Sequence, residues 1–480
     1  MAYAFFWLLF GWILLARRPA MLALLFCSMA FGAFSVLPPA FTGGITVLPR
    51  MVCALALLAA ILFGQNGWAK AWAAISDPRR LGLLSAFMIV GVLASLFMPR
   101  LFAGQVTIIS LNSTLPELLR PSPTIYSQTI YLTVSYCIAL AVCLSAERPE
   151  GQRRIANAVV AGALTAFVTG LLDMATHGTG LLDPFRTATY KMLTTGEILG
   201  TSRIVGLMPE ASAYGGLCAG LGAASYFFCR TIDPAGLWGK IARITPFLAL
   251  TMAALSTSST AMLGLGMFGL VAVLDWLIRF TRDSAPPERA ALFREFVAAA
   301  LALIAIGVIA VLNSGLFRPM MDMLNLMVFE KSKSASFAER SMWNTVSLHA
   351  FAQTYGLGLG IGSTRTSSWP VALLAGTGIA GALAMGAFLL RFLTAAPPTG
   401  ADRLHRQMLY GARLSWLVAF VPGAVSSPSV DFGVLSATLF GIMAGLPLAD
   451  RKATARRTCR APLGRSDTRT PLTSRPRKAL

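Results

Sequence analysis

The chain has 480 residues, is 56% hydrophobic and only 12% charged, and carries a formal net charge of +20. A soluble protein of this length would hold about a quarter charged residues, so a soluble globular enzyme is excluded. Several apolar runs of roughly 18 residues or more define a polytopic membrane protein, and because they are continuous rather than alternating they predict an all-α helical bundle, not a barrel.

The first apolar run, 2–16, is followed by Arg17 and Arg18. A secretory signal carries its charge before the apolar core, so this run reads as an uncleaved short helix with its N-terminus outside. Further helices are predicted over 19–37, 51–64, 81–98, 125–145, 155–173, 208–229, 244–256, 261–278, 296–313, 368–390, 412–426 and 432–448. That gives about 12–13 spans, the first and eighth being short. Assigning the loops to alternate sides puts most of the 40 Lys and Arg in short links on one side and in the tail. The bias places the C-terminus inside.

Residues 1–450 form the membrane domain, and 451–480 a basic tail with ten Lys and Arg against one acid, Asp467. The tail is rich in Pro, Thr and Ser and reads as a disordered cytoplasmic segment lying against anionic lipid. No folded motif accompanies it, so nucleic acid is not an expected partner. The seven cysteines include no Cys-x-x-Cys pair, and His177, His349 and His405 are scattered. Neither pattern makes a metal site. A phosphate loop of the ATPase type is absent.

Two outside loops are large, 174–207 and 314–367. Within the second, Met320 to Val328 reads as interfacial, Ala338 to Tyr355 as a helix, and Gly356 to Gly362 as a glycine-rich turn. Both loops hold cations that run against the topological bias: Arg186, Lys191 and Arg203, then Arg318, Lys331, Lys333, Arg340 and Arg365. Cations so placed suit an anionic substrate, since arginine grips phosphate through paired donors. Arg203 leads into Pro209 and Glu210, which are expected in the first turn of a helix. The small residues that follow (Ala211, Ala213, Gly215, Gly216, Ala219, Gly220) would let neighbouring helices approach closely.

These motifs carry a resemblance. Arg203-x-x-Gly206-x-x-x-Glu210, the Ser256-Thr-Ser-Ser corner, Arg340-x-x-Trp343, the turn Tyr355 to Ser363 and the segment Leu374 to Gly381 together resemble the bacterial O-antigen polymerase and ligase superfamily. The resemblance covers roughly 200–390. It implies a C-type glycosyltransferase-like fold of membrane helices. It implies polymerisation of undecaprenyl-pyrophosphate-linked oligosaccharide repeat units into an exopolysaccharide or O-antigen. The reaction would take place at the outer face of the bacterial cytoplasmic membrane, beside a flippase and a chain-length regulator. No nucleotide sugar, metal or other cofactor is implied. Ligases of the superfamily carry a histidine after the glycine-rich turn; Ser363 to Trp369 has none, and His349 precedes the turn. That departure favours a polymerase over a ligase. A transporter of lipid-linked sugar is the alternative from another class.

The expected roles follow from the chemistry. Arg203, Arg340 and Arg365 would neutralise the leaving pyrophosphate, and Glu210 would accept the proton of the acceptor hydroxyl. Competing carboxylates are Asp183, Glu197, Asp322, Glu330 and Glu339, while Asp173 and Asp431 fall at predicted helix ends and Asp275 near the inner face. Tyr190, Tyr214, Trp343 and Trp369 are the candidates for stacking on sugar rings.

Overall fold

The computed structural model describes residues 2–16, 20–43, 46–111, 113, 115–190, 192–193, 197–198, 201–281, 293, 297, 335–398 and 400–447. The helix expected over 296–313 (Val297 apart), the stretch from Met320 to Val328, the residues Arg17, Arg18, Lys191, Arg318, Asp322, Glu330, Lys331 and Lys333, and the tail lie outside them.

The helices are α1 (Ala2–Ala16), α2 (Met21–Cys27), α3 (Pro49–Leu62), α4 (Gly67–Ser76), α5 (Gly82–Leu101), α6 (Pro123–Ala146), α7 (Pro149–Ala175), α8 (Ala211–Phe228), α9 (Gly236–Leu255), α10 (Ser259–Thr281), α11 (Ala335–Gln353), α12 (Trp369–Thr394), α13 (Arg403–Ser426) and α14 (Gly433–Gly445). Among the described residues, α5, α6, α7, α10, α12 and α13 are long and apolar enough to cross a membrane, and α3 with α4 adds a seventh span if that pair, bent by 110°, counts as one. The fold is therefore mostly helical and multi-spanning. Not every predicted span has full length: α1, α2 and α14 are shorter apolar helices. Two small hairpins interrupt the all-helical plan, β1 (Thr107–Ile109) with β2 (Pro116–Leu118), and β3 (Glu197–Ile198) with β4 (Thr201–Ser202).

The predicted second helix, 19–37, is a correction. Helix α2 gives way to a 3-10 turn over Ser28–Ala30, and the chain beyond is irregular. Its backbone is satisfied by other loops: Ala33 N–H donates to the Leu207 carbonyl at 2.8 Å, and Val36 N–H to the Val47 carbonyl at 2.8 Å. Irregular backbone is tolerated here because neighbouring protein supplies its hydrogen bonds. Helices α9 and α13 begin well before their predicted starts, at Gly236 and Arg403. Their first turns carry Lys240 and Arg243, and Arg403 and Arg406, so hydropathy sees only the apolar remainder.

Helix α8 packs against α7, α9, α10 and α13, as its small residues lead one to expect. A Cβ at Gly222 would lie 3.0 Å from Leu250 of α9, and one at Gly264 of α10 would lie 3.1 Å from Ala219 of α8. Where lipid supplies no hydrophobic drive between helices, close van der Waals fit holds them together.

The connections gather at two ends. At one end the chain after α2, the loop before α8, the Ser256 corner, α11, the glycine-rich turn and the α13–α14 link bond to one another. Arg203 reaches the Thr257 carbonyl, Ser429 reaches Gln128, and Trp369 reaches the Val430 carbonyl. At the other end Arg80 pairs with Glu147 and bonds the Ala444 carbonyl, Arg391 bonds the Arg79 carbonyl, and Trp238 bonds Asn157. The loops assigned to one side by charge thus cluster together. A reporter fused after residue 335 is expected to read outside, and one after residue 450 inside. Both reporters on one side would mean a miscounted span in the last third.

Candidate functional site at one end of the bundle

The loop that carries Arg203 is pinned by a buried carboxylate. Asp173, near the end of α7, accepts from the N–H groups of Val205 at 2.8 Å and Gly206 at 3.0 Å through one oxygen. Its other oxygen pairs with Arg186 at 2.7 Å, and Arg186 also bonds the Gly206 carbonyl at 3.2 Å. Gly206 has φ +58°, and a Cβ there would lie 2.8 Å from the ring of Tyr214, so only glycine fits. Arg186 is therefore a loop clamp, not a free cation for substrate. Asp173→Ala would leave that guanidinium and two amides unpaired, and is expected to destabilise the protein by about 3–5 kcal/mol. Thermal unfolding in detergent checks this; an unchanged midpoint would mean the clamp contributes little.

Glu210 is not in the first turn of α8. It is the N-cap residue, extended at φ −158° and ψ 159°, and its side chain does not cap the helix. Pro209 likewise lies outside the helix; its carbonyl accepts from Leu193 N–H at 2.8 Å. The Ser212 hydroxyl donates to a Glu210 oxygen. Arg203 makes no direct ion pair with Glu210. Its Nη2 donates to the Thr257 carbonyl at 3.2 Å, and its Nε is buried with no hydrogen-bond partner. Burial lowers the Arg203 guanidinium from its ordinary value, and the Glu210 charge pulls it back up. Thr257 itself has φ +48°, a left-handed conformation that costs a β-branched residue roughly 1–2 kcal/mol. The serine-rich corner is thus a tight, strained turn bound by Arg203.

Arg340 lies on α11 and Arg365 on a strap that is bonded to it. The glycine-rich turn has positive φ at Gly356, Gly358, Gly360 and Gly362. It dips into the bundle, where Leu359 N–H bonds the Ala375 carbonyl at 2.7 Å and Ile379 N–H the Gly356 carbonyl at 2.9 Å. There α12 is broken at Gly378, φ 68°, and the turn satisfies part of the freed backbone. The strap 363–367 then lies along one face of α11. Ser367 N–H donates to Asn344 at 2.9 Å and its hydroxyl to the Arg340 carbonyl at 3.2 Å. The Ser347 hydroxyl donates to the Arg365 carbonyl at 3.0 Å. The Arg365 guanidinium stacks 4.0 Å above the Trp343 ring, a cation–π contact that holds it.

Beside the strap lies a groove of about 590 Å³. Helix α11 contributes Phe337, Arg340 and Asn344 to its lining, α10 contributes Ser259, Thr260, Met262, Leu263 and Met267, α13 contributes Val425 and Ser426, and the strap contributes Ser367. Helix α10 is the least buried of the candidate spanning helices, with 22% of its apolar window covered by protein. Arg340 lines this groove. Arg203 bonds to the corner just before Ser259. Arg365 and Glu210 do not line it.

All four of the expected sugar-stacking residues are engaged elsewhere, Tyr190 through its hydroxyl to the Gly32 carbonyl. Tyr214 is fully buried, with its hydroxyl bonding the Ala166 carbonyl at 2.8 Å. Trp343 lies under Arg365, and Trp369 is buried and bonds the Val430 carbonyl at 3.2 Å. Asp275 is buried between Arg230 at 2.9 Å and Arg279 at 3.1 Å, at the opposite end.

A second cavity, of about 160 Å³, lies behind Met208 and is lined by Arg50, Tyr131, Ser135 and Asp431 among apolar neighbours. Arg50 makes no hydrogen bond or ion pair among the described residues. Desolvation pushes the Asp431 carboxyl up from its ordinary value, against the opposing pull of the Ser135 hydroxyl, the Gly433 N–H and the Arg50 charge. In the sequence Asp431 stands out only as a residue at a predicted helix end, and Arg50 not at all. Nothing local marks Arg50: it follows Pro49 at the start of an apolar helix.

Among the described residues, no group of three or more His, Cys, Asp and Glu side chains is placed to hold a metal ion. Comparison with protein-family models, curated proteins and solved structures finds no match.

Proposed function

We propose that this chain is a membrane-embedded glycosyltransferase that polymerises undecaprenyl-pyrophosphate-linked repeat units into a surface polysaccharide at the outer face of the bacterial cytoplasmic membrane. The observation that supports this reading is the groove beside the strap. It holds the Arg340 guanidinium, which has no side-chain hydrogen bond among the described residues, amid hydroxyl groups and beside the apolar side chains of Phe337, Met262, Leu263, Met267 and Val425. A polyprenyl pyrophosphate has the same division, an anionic head on an apolar chain. Arg340 would hold the pyrophosphate as it leaves, and Arg203 would stabilise the corner of the groove and add positive charge. Glu210 would take the proton of the acceptor hydroxyl. Arg365, held on Trp343, would orient the strap.

The test is a pair of substitutions. Arg340→Ala should abolish long polymer while protein level and insertion stay normal. Arg203→Lys keeps the charge but loses the planar fork, and should reduce polymer as well. Polymer of normal length and amount in both variants would remove the groove from the reaction.

A second reading, transport of the lipid-linked unit, is favoured by the break in α12 at Gly378, since transporters place binding sites at broken helices. In transport-defective cells the unit would stay on the inner face, whereas in polymerase-defective cells it would reach the outer face and stop there.

A further inference from the structure

At the end opposite the groove, where α5 begins and α6 ends, sits a short helix set across its neighbour. Helix α4 follows α3 after a bend of 110°. The bend is built into the chain: Asn66 is left-handed at φ 56°, and a Cβ at Gly67 would run into the carbonyl oxygens of Ile61 and Leu62. Gly67, Ala71 and Ala74 form the buried face of α4, which packs against α5 and α6. Two bonds fix its depth. Leu81 N–H, just before α5, donates to the Ala74 carbonyl at 3.1 Å, and Arg80 bonds Glu147, at the end of α6, at 2.6 Å. Helix α5 has 20 residues and is thus about 30 Å long, the thickness of a bilayer's hydrocarbon core. Its first turn, and α4 beside it, therefore lie at one boundary of that core.

The rest of α4 is uncovered, and its two flanks differ. Trp68 is 65% exposed, Trp72 is 72% exposed, and Phe63 at the bend is 83% exposed. Neither indole N–H bonds another described residue. Trp68 and Trp72 are four residues apart and share one flank. Lys70, also exposed, is two residues from each of them, about 160° round the helix. With the small buried face turned to the protein, the tryptophans project to one side and the lysine to the other.

We propose that α4 is an interfacial helix whose Trp68 and Trp72 insert between the headgroups of the adjoining leaflet, with Lys70 on the water side. The partner is the bilayer surface itself, and two features select it. The helix already stands at the boundary of the hydrocarbon core, so lipid meets the tryptophan flank with no further protein required. An aromatic flank opposite a cationic one is also the division that an interfacial helix needs. Tryptophan suits this depth because its ring is apolar and its N–H can bond a headgroup oxygen. Anchored in this way, α4 holds the start of α5 at the membrane surface. The inference is independent of the glycosyltransferase reading and of which leaflet this end meets.

The experiment uses the full chain in phosphatidylcholine vesicles, with the native cysteines replaced and a nitroxide attached at Trp68→Cys, Trp72→Cys or Lys70→Cys in turn. Collision of the label with oxygen, which dissolves in the bilayer, is compared with collision with a water-soluble nickel chelate. Nickel collision at positions 68 and 72 is expected to be several-fold below that at position 70, and oxygen collision higher. Thermal unfolding shows that each labelled protein is folded. A milder pair of substitutions serves if one is not: the parent chain should lose more tryptophan emission to lipid brominated near the headgroup than the variant with Trp68→Phe and Trp72→Phe does. Nickel reaching positions 68 and 72 as readily as position 70 would overturn the proposal, and so would equal quenching of the parent and the paired variant. Spin–spin broadening at 68 or 72 that vanishes on dilution with unlabelled protein would overturn it as well, by placing a second copy on the tryptophans.

Discussion

Glu210→Gln is expected to leave the protein folded and inserted but to slow transfer by ~10²–10⁴-fold, the usual loss when a general base is removed. The expectation rests on where the residue sits. Glu210 is in extended backbone just before α8, at the end of a loop held by Asp173 and Arg186. The Ser212 hydroxyl donates to it. Glutamine keeps the shape and can still accept from Ser212, so folding should not suffer. Repeat-unit transfer by membranes, per amount of inserted protein, is the measurement. A rate within about twofold of the parent would take Glu210 out of the proton transfer. Asp431, in the cavity with Arg50, would then be the carboxylate to test.

The other large effect is on folding. Gly358→Val should abolish stable insertion or lower stability on the order of 3–5 kcal/mol, by forcing a side chain into a left-handed conformation and into a close contact. Gly358 has φ +91°, and its Cβ would lie 2.6 Å from the Gly378 amide nitrogen and 3.2 Å from its Cα. Both are backbone atoms at the break in α12, so no side-chain rotation relieves the clash. The strap that carries Arg365 depends on this turn, so activity should fall with stability. Gly386→Ala is the control: it lies on the same helix with nothing within 4 Å of its Cβ. Thermal unfolding in detergent separates the two. A Gly358→Val protein as stable as the Gly386→Ala protein would mean the turn does not hold α12.

Membrane helices were readable where an apolar run was long and uninterrupted, as in α5, α6 and α10, because only a helix satisfies its own backbone in lipid. The same rule misled at 28–37, where an apolar run leaves the helix and bonds to the loop before α8. Hydropathy cannot distinguish lipid from protein as the apolar surroundings. Helix α4 is not legible from hydropathy because it is short and contains Lys70. The Arg203 motif and the strap were visible in part, since glycines at alternate positions suggest a turn of unusual dihedrals. Their partners were not. The bond from Arg203 to Thr257 and that from the Arg365 N–H to Ile109 join residues distant in sequence, as does the cavity that unites Arg50 with Asp431. Such pairs become legible only when the chain is folded. Arg186 shows the reverse: it looked free in the sequence, and its charge is spent on Asp173.

The proposed reaction is tested most directly by the state and sidedness of the lipid-linked sugar in cells whose only copy of the protein is the Glu210→Gln variant. Lipid carriers would be extracted and their glycans sized, and intact cells would be treated with a sugar-labelling reagent that does not cross the membrane. The expected result is single repeat units on the carrier, labelled from outside, with long polymer absent. Long polymer in normal amount, or single units shielded from the outside reagent, would contradict a polymerase at this site.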